Sequence, residues 1–508
     1  MWYIVSKLYK RIGSLGTGHD RFFCFDRARK EGESVLKNKT HADSRGLLRG
    51  IECTLEVVLL CILYYFVWRY GYEDGLFPDY FFNGKYVLAG VYGVLIVLLF
   101  NNLDGFLFDQ KRFTDLLIGQ SLALIIVNCL TYFQLCLIAN HMISVLPILM
   151  LTVIDFVMAG VLVYVYKKFY QKFYAPHNMI LIFGSDNAVG IKLKLDTRKD
   201  KYNVKKLMSI DEGFDNVCAE IRNYDAVILN DLPPKIRNNL LKFCYSEGIR
   251  TYAVPKISDI MMRGGKAVNL FDTPLLCLSM RGMTLAQRIA KRAMDIVLSL
   301  IALILASPIL LVVAIAIKLE DGGPVFYKQK RLTVGDKEFE ILKFRSMVPN
   351  AEKLTGAVWS AGENDPRITK VGRFVRATRF DELPQIINIL KGDMSVVGPR
   401  PERRVFVDQF CQEMPEFAFR TKVKGGLTGY AQVYGKYNTT PYDKLRFDLM
   451  YIENYSLLLD IKLIILTFKI IFSKESTEGM EAAEENEKKK SELLNQIQEN
   501  QEIKKDDK

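Results

Sequence analysis

The chain has 508 residues, too many for one ordinary core, and three domains is the expected division. Half the residues are apolar although a quarter are charged, which excludes an evenly mixed soluble protein and points to apolar residues gathered into membrane segments. The formal net charge of +12 suits an anionic partner (phospholipid, nucleotide, lipid phosphate or nucleic acid), and composition does not choose among these.

Residues 1–48 are basic and mixed rather than apolar, so they read as a cytoplasmic segment and not as a cleavable signal peptide. Four apolar stretches follow at about 51–70, 86–101, 115–138 and 144–166, each long enough to cross a bilayer, giving four transmembrane helices within 49–170. Their flanks set the orientation. The loop at 71–85 carries Glu73, Asp74 and Asp79, whereas Lys111, Arg112 and the run after Tyr166 are basic. Both ends of the bundle are therefore expected in the cytoplasm. Nine cysteines show no CxxC or CxH spacing, so neither a disulfide framework nor a zinc site is expected. The four histidines, His19, His41, His141 and His177, all precede the C-terminal half, which excludes histidine chemistry there.

Residues 176–280 read as a Rossmann-like α/β domain, with strands at Met179–Phe183, Asp225–Leu229 and Thr251–Val254. The first strand ends in Gly184-Ser-Asp-Asn-Ala-Val-Gly190. A dinucleotide turn needs a second glycine where Asp186 stands, and a carboxylate there repels phosphate. Ligand-free scaffolding is the favoured reading, and nucleotide binding is the alternative.

Residues 285–473 form the expected catalytic domain. Within an expected membrane helix at 294–318, Ile296–Ile317 is nearly all apolar and long enough to span, yet Ser307-Pro308 interrupts the middle and both flanks are basic: Arg288, Lys291 and Arg292 before, Lys318 and Lys328 after. Proline breaks the hydrogen-bond ladder. Basic flanks place both ends in the cytoplasm. A re-entrant helix that turns at Pro308, with Ser307 compensating the opened backbone, satisfies both facts. Ile461–Phe472 is apolar but short, and reads as a helix lying on the bilayer surface, with a core helix as the alternative. The tail 474–508 is charged, lacks aromatic residues and reads as a solvated helix or disordered.

The chemistry concentrates between those apolar segments. Lys343 and Arg345 lie in a strand-like run, and Arg373, Arg376 and Arg379 recur every third residue up to the pair Asp381-Glu382. On a helix the three arginines would make one guanidinium stripe. Gly398-Pro-Arg400-Pro-Glu402 adds a rigid turn with another arginine. Arginine forks suit phosphate oxygens. Neighbouring cations favour ionised carboxylates, so both acids are expected to be charged. An ionised Asp can attack phosphorus, and an ionised Glu can hold Mg²⁺.

Residues 285–472 resemble the bacterial sugar transferase family, the monotopic polyprenyl-phosphate hexose-1-phosphate transferases. The signatures are Lys291-Arg-Ala-Met-Asp295, Ser307-Pro308, Lys343-Phe-Arg-Ser-Met347, Asp365-Pro-Arg-Ile-Thr-Lys-Val-Gly372, Asp381-Glu-Leu-Pro-Gln385, Val397-Gly-Pro-Arg-Pro401 and Asp448-x-x-Tyr-x-x-x-Tyr-Ser456. The four spans and the α/β unit resemble the large members, so the expected fold is a mixed α and α/β membrane protein with a mainly helical catalytic domain. The resemblance implies transfer of a hexose-1-phosphate from a UDP-sugar to undecaprenyl phosphate, with loss of UMP, Mg²⁺ dependence and a covalent intermediate. It implies Asp381 as nucleophile and Glu382 as the Mg²⁺ carboxylate. Arg376 and Arg400, with Arg379, Lys343 and Arg345, are implied as phosphate ligands, and Asp448 as a further acid. It also implies the bacterial cytoplasmic membrane, membrane lipid as a partner, a homodimer, and polysaccharide-assembly proteins acting in capsule or exopolysaccharide synthesis. One departure is Lys424-Gly-Gly-Leu-Thr-Gly429, where many members carry Lys-Pro-Gly. The lost proline removes local rigidity and any basis for carrying over sugar specificity.

Three rival readings are weaker. A nucleotide-sugar dehydratase needs the intact glycine motif and a distant Tyr-x-x-x-Lys pair, but Tyr202-x-x-x-Lys206 lies too near the first strand. A non-catalytic scaffold sits badly with the intact Asp-Glu and arginine set. Nucleic-acid binding lacks aromatic platforms and a reading motif.

Overall fold

The computed structural model describes residues 46–72, 84–108, 111–173, 176–184, 188–199, 201–278, 282–348, 365, 367–435 and 439–471. The basic N-terminal segment, the acidic loop with Glu73, Asp74 and Asp79, Asp186 of the glycine turn, and the charged tail lie outside the described residues. The chain divides into two compact units, the first ending at Val254 and the second beginning at Pro255. The boundary thus falls before residue 280, where the sequence placed the end of the α/β domain.

In the first unit four long apolar helices come first: α1 (Gly46–Gly71), α2 (Gly84–Asn102), α3 (Phe113–Ala139) and α4 (Leu146–Phe173). Each is long and apolar enough to cross a membrane. Their outer faces expose Val94, Leu98, Val153 and Val157, as lipid contact requires. Their inner faces carry polar side chains that pair with each other. Tyr92 Oη lies 2.8 Å from Asn128 Oδ1 and 2.9 Å from Asp155 Oδ2. Asn128 Nδ2 donates to Thr152 Oγ1 and to Asp155 Oδ2. Gln120 Nε2 donates to Glu56 Oε2 and to the Gly105 carbonyl. Such pairs tie α1, α2, α3 and α4 together where apolar packing alone gives no preference over lipid.

After the bundle, β1 (His177–Phe183), β2 (Tyr202–Ser209), β3 (Ala226–Asn230) and β4 (Arg250–Ala253) form a fully parallel sheet in the order β2-β1-β3-β4. The connections are the helices α5 (Ala188–Asp196), α6 (Phe214–Ile221) and α7 (Pro234–Ser246). The central strands β1 and β3 are buried almost throughout, as parallel strands covered on both faces must be. Three of these strands are the expected ones. The fourth, β2, is an edge strand with Lys205 and Lys206, which hid it. At the carboxyl ends of the strands, a Cβ on Gly184 would come within 2.7 Å of the Asp231 carbonyl oxygen. Glycine there lets the segments after β1 and β3 close on each other.

The second unit begins with α8 (Ile257–Arg263) and a hairpin, β5 (Lys266–Leu270) and β6 (Thr273–Cys277), exposed on both strands. Then comes α9 (Leu285–Asp321), a fifth helix long and apolar enough to span, which continues through Pro308. The proline cannot donate to the Ile304 carbonyl one turn back. Ser307 Oγ donates to that carbonyl instead, at 2.8 Å. The helix is exposed over Ile301, Ile304 and Leu305 (50%, 71% and 71%), whereas both its ends are fastened to the same body. Near its start Lys291 meets Asp460 at 2.6 Å, Arg292 donates to the carbonyls of Ile389 and Leu390, and Asp295 accepts from Ser395 Oγ and Val396 N. Near its end Val313 and Ile317 pack with Phe344 and Val375.

That body contains β7 (Phe326–Leu332), β8 (Glu338–Phe344), α10 (Lys370–Ala377), α11 (Gln385–Lys391), β9 (Ser395–Val397), α12 (Arg404–Glu413), β10 (Gly426–Thr428), α13 (Tyr430–Tyr434), α14 (Pro441–Glu453) and α15 (Leu457–Ile471). Its main core gathers Val397, Phe417, Leu445, Leu449, Tyr451 and Leu463. The expected surface-lying helix is α15, and the structure corrects that expectation. Leu463 and Asp460 are wholly buried, so α15 is a core helix, although Leu458, Ile461 and Phe468 remain exposed on its other side. Core contact wins because one face supplies both the Leu463 anchor and the Asp460 partner of Lys291. Phe472 lies outside the described residues.

Candidate active site

Helix α10 starts at a Thr369 cap, whose hydroxyl accepts from Gly372 N, and ends at Ala377. Arg379 then adopts φ +58°, a left-handed conformation that is uncommon for a residue with a Cβ. The chain reverses there, and a single 3₁₀ turn, Phe380–Glu382, presents the two acids. The expected stripe of three arginines is therefore corrected. Arg373 and Arg376 share α10, but Arg379 leaves the helix and is exposed. The spacing of three matched a helix that stops two residues too early.

Lys343, at the end of β8, reaches both acids: its Nζ lies 3.0 Å from Glu382 Oε1 and 3.8 Å from Asp381 Oδ2. Arg400 Nη2 donates to Glu382 Oε1 at 2.6 Å. The two acids respond in opposite ways. Burial pushes the Asp381 carboxyl up, and the Lys343 charge only partly offsets it. Burial acts on Glu382 as well, but Arg400 and Lys343 more than offset it and hold Glu382 far below the ordinary carboxylate range. Neighbouring cations favour the charged form of both acids, as expected, but for Asp381 burial outweighs them. Glu382 takes the counter-charges directly, and Asp381 sees them from farther away. Glu382 returns the effect by raising Arg400.

The Arg400 turn is fixed from three sides. Arg331 Nη1 donates to the Pro401 carbonyl and to Glu402 Oε2, both at 3.2 Å. Arg420 Nη2 donates to the Arg400 carbonyl at 3.1 Å. Gly426 N donates to the Pro399 carbonyl at 2.9 Å. A Cβ on Gly398 would come within 2.4 Å of the Lys424 carbonyl oxygen, so the two glycine-containing segments touch backbone to backbone. The Lys424-Gly-Gly segment has no proline, yet the pairing of β9 with β10 holds it in place.

Two expected phosphate ligands or acids are not at the Asp381–Glu382 pair. Arg345 is buried and pairs with Asp321 at the end of α9. Asp448 is fully buried in α14 and accepts from Arg420 Nε at 2.6 Å. Burial pushes its carboxyl up, with Arg420 opposing. Asp448 therefore reaches the site through Arg420 and the Arg400 backbone, two contacts away. Arg376 is half-buried in α10, and its charge is felt at Asp381. Asp365 and Arg367 close a local fork that pulls the Asp365 carboxyl down to about 2. Arg331 belongs to the cationic run Lys328-Gln-Lys-Arg331 that the sequence shows, but sequence reasoning missed Arg420 and Asn388, which only their partners reveal.

Among the described residues no group of three or more His, Cys, Asp or Glu could hold a metal ion alone. Mg²⁺, however, commonly takes one or two carboxylates and completes its shell with substrate phosphates and water. Adjacent Asp381 and Glu382, with both cation contacts to Glu382 falling on Oε1, fit that donor set.

The sequence profile described as bacterial sugar transferase matches residues 286–474. Over 259 residues the chain is 39% identical to the UDP-N-acetylgalactosamine-undecaprenyl-phosphate N-acetylgalactosaminephosphotransferase of Aeromonas hydrophila, covering 49% of this chain and 59% of that protein. Over 212 residues it is 43% identical to the UDP-glucose:undecaprenyl-phosphate glucose-1-phosphate transferase of Escherichia coli K12, covering 41% and 43%. The protein of that same name from Caulobacter vibrioides is 38% identical over 191 residues, covering 37% of this chain and 71% of that protein. The chain thus spans about half the length of the first two relatives. With the profile falling on the unit that holds α9 and the acid pair, the chain belongs to the bacterial sugar transferase family.

Proposed function

We propose that this protein transfers a hexose-1-phosphate from a UDP-sugar to undecaprenyl phosphate at the cytoplasmic face of the bacterial inner membrane. The observation that carries the reading is the split acid pair: a partly buried Asp381 beside a Glu382 bound by Lys343 and Arg400. The names of the relatives support the two substrates. In this reading the Asp381 carboxylate attacks the β-phosphorus, a new Oδ–P bond forms, and the bond to the UMP oxygen breaks. A phosphate oxygen of undecaprenyl phosphate then attacks the same phosphorus and returns Asp381 as a carboxylate. Arg400, Lys343 and Arg376 orient the diphosphate and offset its charge. Glu382, beside Asp381, would hold Mg²⁺, which supplies further neutralisation of the diphosphate when bound.

The apolar helix α9 is proposed to be re-entrant. Support comes from its two ends fastened to one body, its exposed apolar middle and the Ser307 bond to the Ile304 carbonyl. A single cysteine placed at Gly322 in a cysteine-free variant, compared with one at Thr284, tests this. Both are expected to react with a membrane-impermeant thiol reagent only from the cytoplasmic side. Opposite-side labelling would make α9 a fifth span. The parallel four-stranded sheet is proposed as a Rossmann-like scaffold without a nucleotide, supported by the closure of Gly184 on Asp231.

The deciding experiment measures UMP release from UDP-glucose, UDP-galactose and their N-acetylated counterparts, in membranes with and without undecaprenyl phosphate. At least one donor is expected to release UMP. Its rate should fall with falling pH above the ordinary carboxylate range, near 4. The sign follows from Asp381: burial raises its pKa, and only the ionised form attacks, so activity is present above that pKa and lost as pH drops through it. A profile flat down to pH 4, or no release from any UDP-sugar, contradicts the reading.

A further inference from the structure

Among the described residues β8 pairs only with β7, and no described strand lies along its other edge. Asn388 occupies that edge. Its Oδ1 accepts from Leu342 N at 2.9 Å, and its Nδ2 donates to the Glu340 carbonyl at 2.8 Å. The N–H of one residue and the C=O two residues earlier point to the same side of a strand. A primary amide offers one acceptor and two donors, so it meets both groups as a neighbouring strand would. The side chain is 1% exposed, which makes these bonds costly to leave unmade.

Its position in the chain gives the bond a consequence. Leu342 immediately precedes Lys343, and Asn388 follows Glu382 on α11, the helix that begins three residues after the acid. The amide therefore joins the two backbones whose side chains meet in the 3.0 Å contact between Lys343 and Glu382. That contact cannot hold the strand during turnover, because an arriving diphosphate draws Lys343 toward its own oxygens. The Asn388 amide bonds only backbone on β8 and is indifferent to this exchange. Ile389 packs with Phe339 and Ile341 on the same strand, so apolar contact sets the distance while the amide sets the register.

We infer that Asn388 is a positioning residue that holds Lys343 in register with Asp381 and Glu382 while the ion pairs change partners. The inference rests on the reading of Asp381 and Glu382 as the reacting pair. A double-mutant cycle in native membranes tests it, with UMP release as the readout and Asn388→Ala, Lys343→Ala and the double variant compared. Asn388→Ala is expected to lower kcat/KM about 10- to 100-fold, as loss of a supporting partner does. In the Lys343→Ala background most of that factor should vanish, since Asn388 acts through Lys343. KM for the UDP-sugar should also rise in Asn388→Ala, because a displaced Lys343 no longer meets the diphosphate, a change that mere loss of folded enzyme does not produce. Should Asn388→Ala not accumulate in the membrane, Asn388→Asp keeps the acceptor toward Leu342 N, removes the donor to Glu340 and carries the same cycle. Factors that multiply in full in the double variant, or an unchanged KM, overturn the inference. Such a result with an inactive Asp381→Asn enzyme overturns the role of Asn388 alone; an active Asp381→Asn enzyme overturns the underlying reading.

Discussion

Asp381→Asn is expected to cut UMP release by on the order of 10³-fold or more while leaving the protein folded in the membrane. The substitution is nearly isosteric and removes a single negative charge from a partly buried turn. It leaves Glu382 with both of its cation partners, so the local fold keeps its ion pairs. What disappears is the oxygen able to form a bond to phosphorus. A radiolabelled sugar-phosphate trapped on the wild-type chain in the absence of lipid acceptor, and missing from Asp381→Asn, would establish the covalent route. Release at the wild-type rate from Asp381→Asn would remove Asp381 from the chemistry. Glu382→Gln should behave differently. It loses the charge that holds Lys343 and Arg400, so diphosphate affinity and stability should change together.

The second large effect concerns Arg420. Arg420→Ala leaves Asp448 fully buried without its 2.6 Å partner, and breaking such a pair costs about 3–5 kcal/mol. Thermal unfolding in detergent, read by protease resistance of the 255–471 region, should show the loss. Replacing both members with apolar residues, Arg420→Met with Asp448→Leu, should restore most of the stability, because no buried charge is then left alone. Activity should not return with it. Arg420 also donates to the Arg400 carbonyl, and without that bond the guanidinium that meets Glu382 is held only by Arg331 and the glycine contact. Recovery of both stability and UMP release in the double variant would reduce Arg420 to a core residue.

The sequence reveals different parts of this protein to different degrees, and the reasons are physical. The apolar helices are visible because crossing a bilayer demands length and uniformity, which a single chain displays directly. Strands β1, β3 and β4 stand out as short apolar runs, whereas β2 takes its place through backbone pairing with β1 while its side chains stay partly wet. Asp381, Glu382, Lys343 and Arg400 come together as their motifs suggest. Arg379 and Arg345 do not follow the expectation. A left-handed residue undoes the helical spacing in one case, and in the other Asp321 lies 24 residues earlier, where no local pattern links it to Arg345. Asp448 is legible as an acid but not as a buried one, since burial depends on where Arg420 folds back. Asn388 looks like an ordinary helix residue until the free edge of β8 is seen beside it.

The way α9 is fastened has a consequence for the lipid itself. The helix is continuous through Pro308, but in the re-entrant path proposed above a turn there would divide Asp295 to Lys318 into two arms of about eleven residues, each about 17 Å long at 1.5 Å per residue. The hydrocarbon core is about 30 Å thick, so such arms fill one monolayer and stop near the midplane. In that proposed path the protein would add area to the inner leaflet and none to the outer at that point. It would act as a wedge, favouring membrane that bulges toward the side of insertion. In the proposed function the polyprenyl acceptor would then be met within that single monolayer.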